Sequence, residues 1–230
     1  MKPRIIVHHH TGLGDHFICN GLIHSLLEHY SIDLICKRHY NKTVKHLYED
    51  FEDVNIVPVD NEAEDVLKYS QETNYPLMRV GFEKCDYDNF EESFYITSGV
   101  NPDAEYDKFI LPKRLDDSYK WYHNLKTTIG ENYIFVHDAS TYGKFDLKIK
   151  SDLPRHNVAK EDTDDVLDYV DAICFAKEVH VINSGINNLV FQLYYKNMTK
   201  GKIFYHNARK LDLGGIPVKV PEGIEVIEYE

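Results

Sequence analysis

Three polar, glycine-bearing turns follow short apolar runs in this sequence, and their residue types could do chemistry. In the first, Ile5-Ile6-Val7 leads through three histidines into Thr11-Gly12-Leu13-Gly14-Asp15-His16, just ahead of an apolar helical period. A glycine turn between strand and helix lets a ligand approach the backbone, and the helix start favours an anion. Asp15 can oppose the helix dipole as a cap. It can also act as general base, taking the proton of an attacking hydroxyl. Carboxylates ordinarily titrate near about pH 4, so a base here needs a raised pKa or a tight hydrogen bond to that hydroxyl. His16, beside it, could orient a substrate.

The second turn is Asn183-Ser184-Gly185, which ends the apolar run Glu178–Asn183 and passes at once into Ile186-Asn187-Asn188-Leu189. Free amides at such a helix start, with Ser and Asn side chains beside them, can hold a diphosphate. Ser184 or Asn183 can equally serve as the N-cap. In the third, Tyr133–Val136 runs into His137, Asp138, Ser140, Thr141, Gly143 and Lys144. Ligands of open α/β sheets sit beyond the carboxyl ends of strands. Lys144, Lys148 and Arg155 are the basic residues placed to neutralise phosphates there, or else are solvated surface charge.

The elements that must position these turns read as two repeats of a βα pattern. Ile5–Val7, Ile32–Cys36 and Val54–Val59 are expected strands. A helix with Phe17, Ile18, Leu22, Ile23, Leu26, Leu27 and Tyr30, and another with Val44, Leu47, Tyr48 and Phe51, lie between them. That order demands right-handed crossovers and a parallel sheet. Leu77–Phe82 is an expected strand, Phe90–Ser98 a helix stopped by Gly99, and Leu115–Ile129 a helix ending at Gly130. The pattern restarts with Tyr133–Val136. A helix capped by Asp162 or Thr163 and carrying Val166, Val170, Ile173 and Cys174 comes next. Glu178–Asn183, a helix opening at Gly185, Lys202–Tyr205 and Ile224–Ile227 complete it. The boundary falls near 112–130, giving domains at 1–120 and 121–230 that pack across a cleft.

Several classes are excluded. The sixth position of a G-x-G-x-x-G fingerprint is Phe17, and Lys37 and Arg38 stand where an acidic ribose ligand belongs. The same absences count against a methyltransferase that uses S-adenosylmethionine, and no P-loop pattern occurs. A net charge of −12 argues against nucleic acid or an anionic membrane as partner. Cys19, Cys36, Cys85 and Cys174 form no C-x-x-C pair. No signal peptide or membrane-length apolar run is seen, so a cytoplasmic location is expected.

Together these three segments resemble glycosyltransferases of the GT-B fold. Gly12-Leu13-Gly14-Asp15 looks like the turn of heptosyltransferase-type and related viral and bacterial sugar transferases, in which an Asp at that place is the catalytic base; Asp15 matches it. Ile134-Phe135-Val136-His137-Asp138 looks like the start of the family's donor-binding half. Val181–Leu189 is similar to the strand–turn–helix that holds the donor diphosphate. Phe90–Val100 is similar to a further F-x-x-S-F-Y-x-x-x-G-[IV] segment.

The resemblance implies an α/β chain of two Rossmann-like domains facing a cleft, the first binding the acceptor and the second the donor. The implied reaction moves a hexose, deoxyhexose or pentose from a nucleotide-diphosphate sugar to a hydroxyl of a glycan or other acceptor. It needs no metal or other cofactor and is inverting, with Asp15 and His16 as catalytic residues. The implied donor site comprises Gly12, Gly14, His137, Asp138, Lys144, Arg155, Ser184, Gly185, Asn187 and Asn188. A nucleotide-sugar epimerase on the same fold and a non-catalytic sugar- or nucleotide-binding module are the alternatives.

Two metal-like signals carry less. Among His8, His9 and His10 a strand can aim only the outer two the same way, and no further ligands follow at suitable spacing. The D-x-D pairs Asp86–Asp88 and Asp162–Asp164 arise readily among 38 acidic residues. The acidic stretches 60–65 and 161–165 read as solvated helix faces.

Overall fold

Near-continuous runs such as Ile5-Ile6-Val7 and Ile32–Cys36 suit parallel strands, whose two faces are both covered. In a computed structural model, which describes residues 2–83, 85–159, 161–209 and 217–229, both runs are buried throughout. The chain forms two compact units, Met1–Lys113 and Arg114–Glu230.

Unit 1 contains β1 (Arg4–His8), α1 (Leu13–Ile18), α2 (Asn20–Leu26), β2 (Ser31–Lys37), α3 (Asn41–Leu47), β3 (Val54–Val59), α4 (Glu62–Thr73), β4 (Leu77–Arg79), α5 (Phe90–Thr97) and α6 (Ala104–Asp107). Its sheet is parallel throughout, in the order β3-β2-β1-β4. The order reverses between β1 and β4, where a doubly wound sheet opens a crevice at its carboxyl edge.

Unit 2 contains α7 (Asp116–Ile129), β5 (Ile134–His137), β6 (Ala139–Ser140), β7 (Gly143–Lys144), β8 (Arg155–Asn157), α8 (Val170–Phe175), β9 (Glu178–Ile182), α9 (Gly185–Tyr195), β10 (Lys202–Asn207) and β11 (Glu225–Glu228). Its five-stranded parallel sheet runs β11-β10-β9-β5-β8, and β6 and β7 form a small antiparallel hairpin. In this order the reversal lies between β5 and β9. The crevice therefore opens where His137 and Asn183-Ser184 leave their strands.

The expected elements are present with shifted ends, and three differences have physical causes. The helix expected around Phe17–Tyr30 is two helices that meet at Cys19. Tyr95 Oη donates to Ile18 O at 2.6 Å and accepts from Leu22 N at 3.2 Å, replacing a turn of the backbone ladder. The helix carrying Val166 begins as a 3-10 turn at Val166–Tyr169. Its cap is Asp165, whose carboxylate accepts from Leu167 N at 3.0 Å, rather than Asp162 or Thr163. Strand β8 was not anticipated, because Arg-His-Asn carries no apolar signal; it is an edge strand beside β5.

Among the described residues no helix is long and apolar enough to cross a membrane, and no group of three His, Cys, Asp or Glu is placed to hold a metal ion. The D-x-D acids have local tasks. Asp86 accepts from Asp88 N and Asn89 Nδ2, and Asp162 accepts from Ala159 N.

Candidate functional site

In unit 1 the strand β1 delivers its carboxyl end into the first glycine turn. Gly12 is the N-cap of α1 with extended backbone, φ −67° and ψ 150°. Asp15, three residues on, folds its half-buried carboxylate back over Gly12 toward the amides of the turn. Burial pushes the Asp15 carboxyl up to about 7, against the pull of the Gly12 amide and the Lys37 ammonium. Its hydrogen bond from the Gly12 amide caps the helix start, and a carboxylate held near neutrality has the basicity to take a proton from a hydroxyl brought against it.

Glu62, the first residue of α4, ties this turn to the rest of the edge. Its carboxylate accepts from Thr11 Oγ1 at 2.5 Å, meets His8 Nε2 at 2.8 Å, and has Lys37 Nζ at 3.7 Å. Burial alone would raise its pKa, but the Thr11 and His8 hydrogen bonds outweigh burial and hold it below the usual range. The sequence reading took 60–65 for a solvated face and so missed Glu62. Only the fold brings it to His8, 54 residues away in the chain.

The three histidines separate. His8 pairs with Glu62, while His10 sits stacked between Phe82 and Phe94, both at 12° to its plane, with Nε2 at 2.6 Å from Gly81 O. His9 is buried edge-on against His16, with ring centroids 4.4 Å apart. His16 is 0% exposed and burial keeps its pKa well below the usual value, so its ring is neutral and packed inward beside Asp15. Phe94 and Tyr95 belong to the Phe90–Val100 segment. They support His10 and clamp α1 to α2, so the segment positions the turn that carries Asp15.

In unit 2, Ser184 caps α9. Its Oγ accepts from Asn187 N at 3.3 Å and lies 3.0 Å from His137 Nδ1 at the end of β5. Burial lowers the His137 pKa to about 4, so the ring is neutral and carries one proton, and either tautomer allows a hydrogen bond with the Ser184 hydroxyl. The Asn187 side chain is 0% exposed, and neither its Oδ1 nor its Nδ2 has a hydrogen-bond partner among the described residues. A buried amide with both ends unpaired, one turn into a helix at a sheet's crevice, is a polar group awaiting a ligand or water. Gly185 and Asn188 lie half-buried beside it.

Of the remaining expected donor residues, Gly12 and Gly14 lie in the α1 turn of unit 1, and the other three gather on the other side of β5. Asp138, Lys144 and Arg155 line a cavity of about 340 Å³ with Val136, Phe145, Asp146, Leu147, Ile149 and Asn157. Lys144 Nζ pairs with Asp138 at 3.3 Å, and Arg155 reaches the carbonyls of Ile149 and Ser151 at 3.2 and 3.3 Å. Lys148 is turned away, over the Tyr229 ring at 4.5 Å. A cation that the sequence reading did not select, Arg209, stands just beyond β10. Its guanidinium lies 3.3 Å from Asn183 O and 4.7 Å from the Tyr142 ring centroid. It follows no recognisable motif, so only the strand order places it beside the start of α9.

No protein-family profile matches the chain, and no curated protein matches it. Among solved structures, it is similar to a glycosyl transferase family 9 protein from Veillonella parvula, with a TM-score of 0.57 and 10% identity over 99% of this chain and 85% of that one. It also aligns with E. coli heptosyltransferase WaaC with ADP-2-deoxy-2-fluoro heptose, with a TM-score of 0.48 and 12% identity over 97% and 92% of the two chains. The first likeness establishes the fold class, an α/β chain of two Rossmann-like units of GT-B type.

Proposed function

We propose that this protein is a glycosyltransferase that moves a sugar from a nucleoside-diphosphate donor to a hydroxyl of a glycan or small acceptor. The observation that carries the reading is the start of α9. There Ser184 meets His137 and the backbone N–H of Asn187, whose buried side-chain amide is unpaired, at the strand-order reversal of a fold shared with a glycosyl transferase family 9 protein. The diphosphate binds at the α9 amides, with Arg209, which reaches Asn183 O, as a cation beside them. Asp15 takes the proton of the acceptor hydroxyl as its oxygen bonds to the anomeric carbon. The bond from that carbon to the diphosphate oxygen breaks, and the nucleoside diphosphate leaves with the electron pair.

One base and one displacement make the reaction inverting. In this reading the amides and Arg209 stabilise the leaving charge without a resident metal, and the enzyme works in the cytoplasm. A carboxyl titrating at about 7 suits the base, since it is substantially ionised at neutral pH yet basic enough to hold the proton. His16, neutral and fully buried against His9, acts by packing beneath the turn.

A thermal-shift series with nucleoside diphosphates and nucleotide sugars tests the donor site. A ligand at a hundredfold excess over its Kd adds about 2.7 kcal/mol, or roughly 5–10 °C in Tm for a chain of this size. The reading requires at least one compound to reach that range, and a flat series would overturn it.

A further inference from the structure

One face of the unit 2 sheet carries a continuous chain of hydrogen bonds that the proposed reaction does not use. His180 on β9 is 2% exposed and His206 on β10 is 0% exposed. His180 Nε2 lies 3.1 Å from Glu178 Oε2, and His180 Nδ1 lies 2.8 Å from His206 Nε2. His206 Nδ1 then lies 2.7 Å from Tyr229 Oη, which accepts the Lys148 backbone N–H at 2.7 Å.

Burial lowers the pKa of both rings, that of His206 to about 4, so each is neutral with one proton. That fixes the direction of every bond. Glu178 is acceptor only, so His180 carries its proton on Nε2 and accepts at Nδ1. His206 must therefore donate from Nε2, which leaves its Nδ1 to accept from the Tyr229 hydroxyl. Tyr229 keeps its oxygen lone pairs for the Lys148 amide. Every donor meets an acceptor, and the order runs from the sheet interior to one backbone amide.

That amide belongs to the segment 144–149, most of which walls the 340 Å³ cavity holding Asp138, Lys144 and Arg155. Lys148 is fixed a second time, by its ammonium over the Tyr229 ring and at 3.3 Å from Glu228 O. We propose that Tyr229 is a positioning residue that holds this wall against the sheet through the oriented His206–His180–Glu178 chain, keeping the cavity in shape for the part of the donor that extends past the diphosphate held at α9. The ligand clause rests on the donor-site reading above; the hold on the wall does not.

Tyr229→Phe keeps the ring and removes the hydroxyl. Hydrogen–deuterium exchange of the intact protein should then show the Lys148 amide exchanging at least tenfold faster, with unchanged far-UV circular dichroism. Nucleoside-diphosphate affinity should fall about fivefold or more. Lys148→Ala, which keeps the backbone N–H, should leave that exchange slow, separating the amide bond from the ring contact. In ¹⁵N spectra of the wild type, both His180 and His206 should appear as Nε2–H tautomers. Unchanged exchange in Tyr229→Phe, an Nδ1–H tautomer at His206, or faster exchange with unchanged affinity would each overturn the proposal. If the wild type binds no nucleotide, the donor-site reading fails while exchange and tautomer still decide the hold on the wall.

Discussion

A methyl group on Gly12 would lie 2.6 Å from Asp15 Oδ2, so the carboxylate occupies the space that any larger residue at Gly12 would need. Gly12 has an ordinary extended backbone; it is needed for this approach, with no left-handed conformation involved. Gly12→Ala should displace a short side chain, costing about 1–3 kcal/mol by overpacking. It should also release Asp15 to solvent. Urea titration measures the first effect. A fall of the Asp15 pKa toward the usual carboxylate range, read by ¹³C NMR, measures the second.

Asp15 also imposes a pH dependence on folding. Burial holds its carboxyl at about 7 in the folded chain against 3.8 for an ordinary Asp. Between those values the folded state binds more protons, so the Asp15 contribution is full below about pH 4 and is lost as pH rises through 7. Buried histidines with lowered pKa, His9, His24, His137 and His206 among them, act in the opposite sense at acid pH. The difference between wild type and Asp15→Asn isolates the carboxyl. Asp15→Asn should gain stability relative to wild type from pH 4 to 7 and keep that gain at pH 8. A constant difference across the range would mean an ordinary carboxylate.

At the proposed donor site, Ser184→Ala removes the α9 cap and the His137 partner together. About 1 kcal/mol of stability should be lost, and nucleoside-diphosphate affinity should fall with it. Arg209→Gln removes the guanidinium that reaches Asn183 O and the Tyr142 ring. Calorimetry should show diphosphate affinity about tenfold weaker.

Tyr95→Phe leaves Ile18 O and Leu22 N facing a buried gap at the junction of α1 and α2. An unsatisfied buried group costs about 1–3 kcal/mol, and denaturant titration should find a loss in that range. The α1 amides should also exchange faster in this variant, because the clamp that sets the helix carrying Asp15 is gone.

Much of the fold was legible because parallel strands are continuous apolar runs. Val54–Val59 has the bounds expected, and the glycines at 99 and 130 follow α5 and α7 at positive φ. The positions of Asp15, Ser184 and Asn187 follow a related pattern, where a strand or its turn hands over to a helix, while His137 ends β5 ahead of the β6–β7 hairpin. Arg155 was chosen for its charge, yet it sits on an edge strand that the sequence concealed and binds loop carbonyls. Glu62 and Arg209 could not be found that way. Glu62 acts on residues more than fifty positions away, and Arg209 reaches Asn183 from 26 positions away, so their roles exist only once strand order is known.

The most direct test of the proposed reaction is the release of nucleoside diphosphate from the nucleotide sugar that stabilises the protein most, with a fixed acceptor mixture. Wild type and Asp15→Asn are compared at saturating donor. Loss of a general base should lower the rate about 10²–10⁴-fold, while donor Kd stays within twofold because the proposed diphosphate site lies in unit 2. An Asp15→Asn protein that releases nucleoside diphosphate at the wild-type rate would contradict Asp15 as the base and leave it a helix cap.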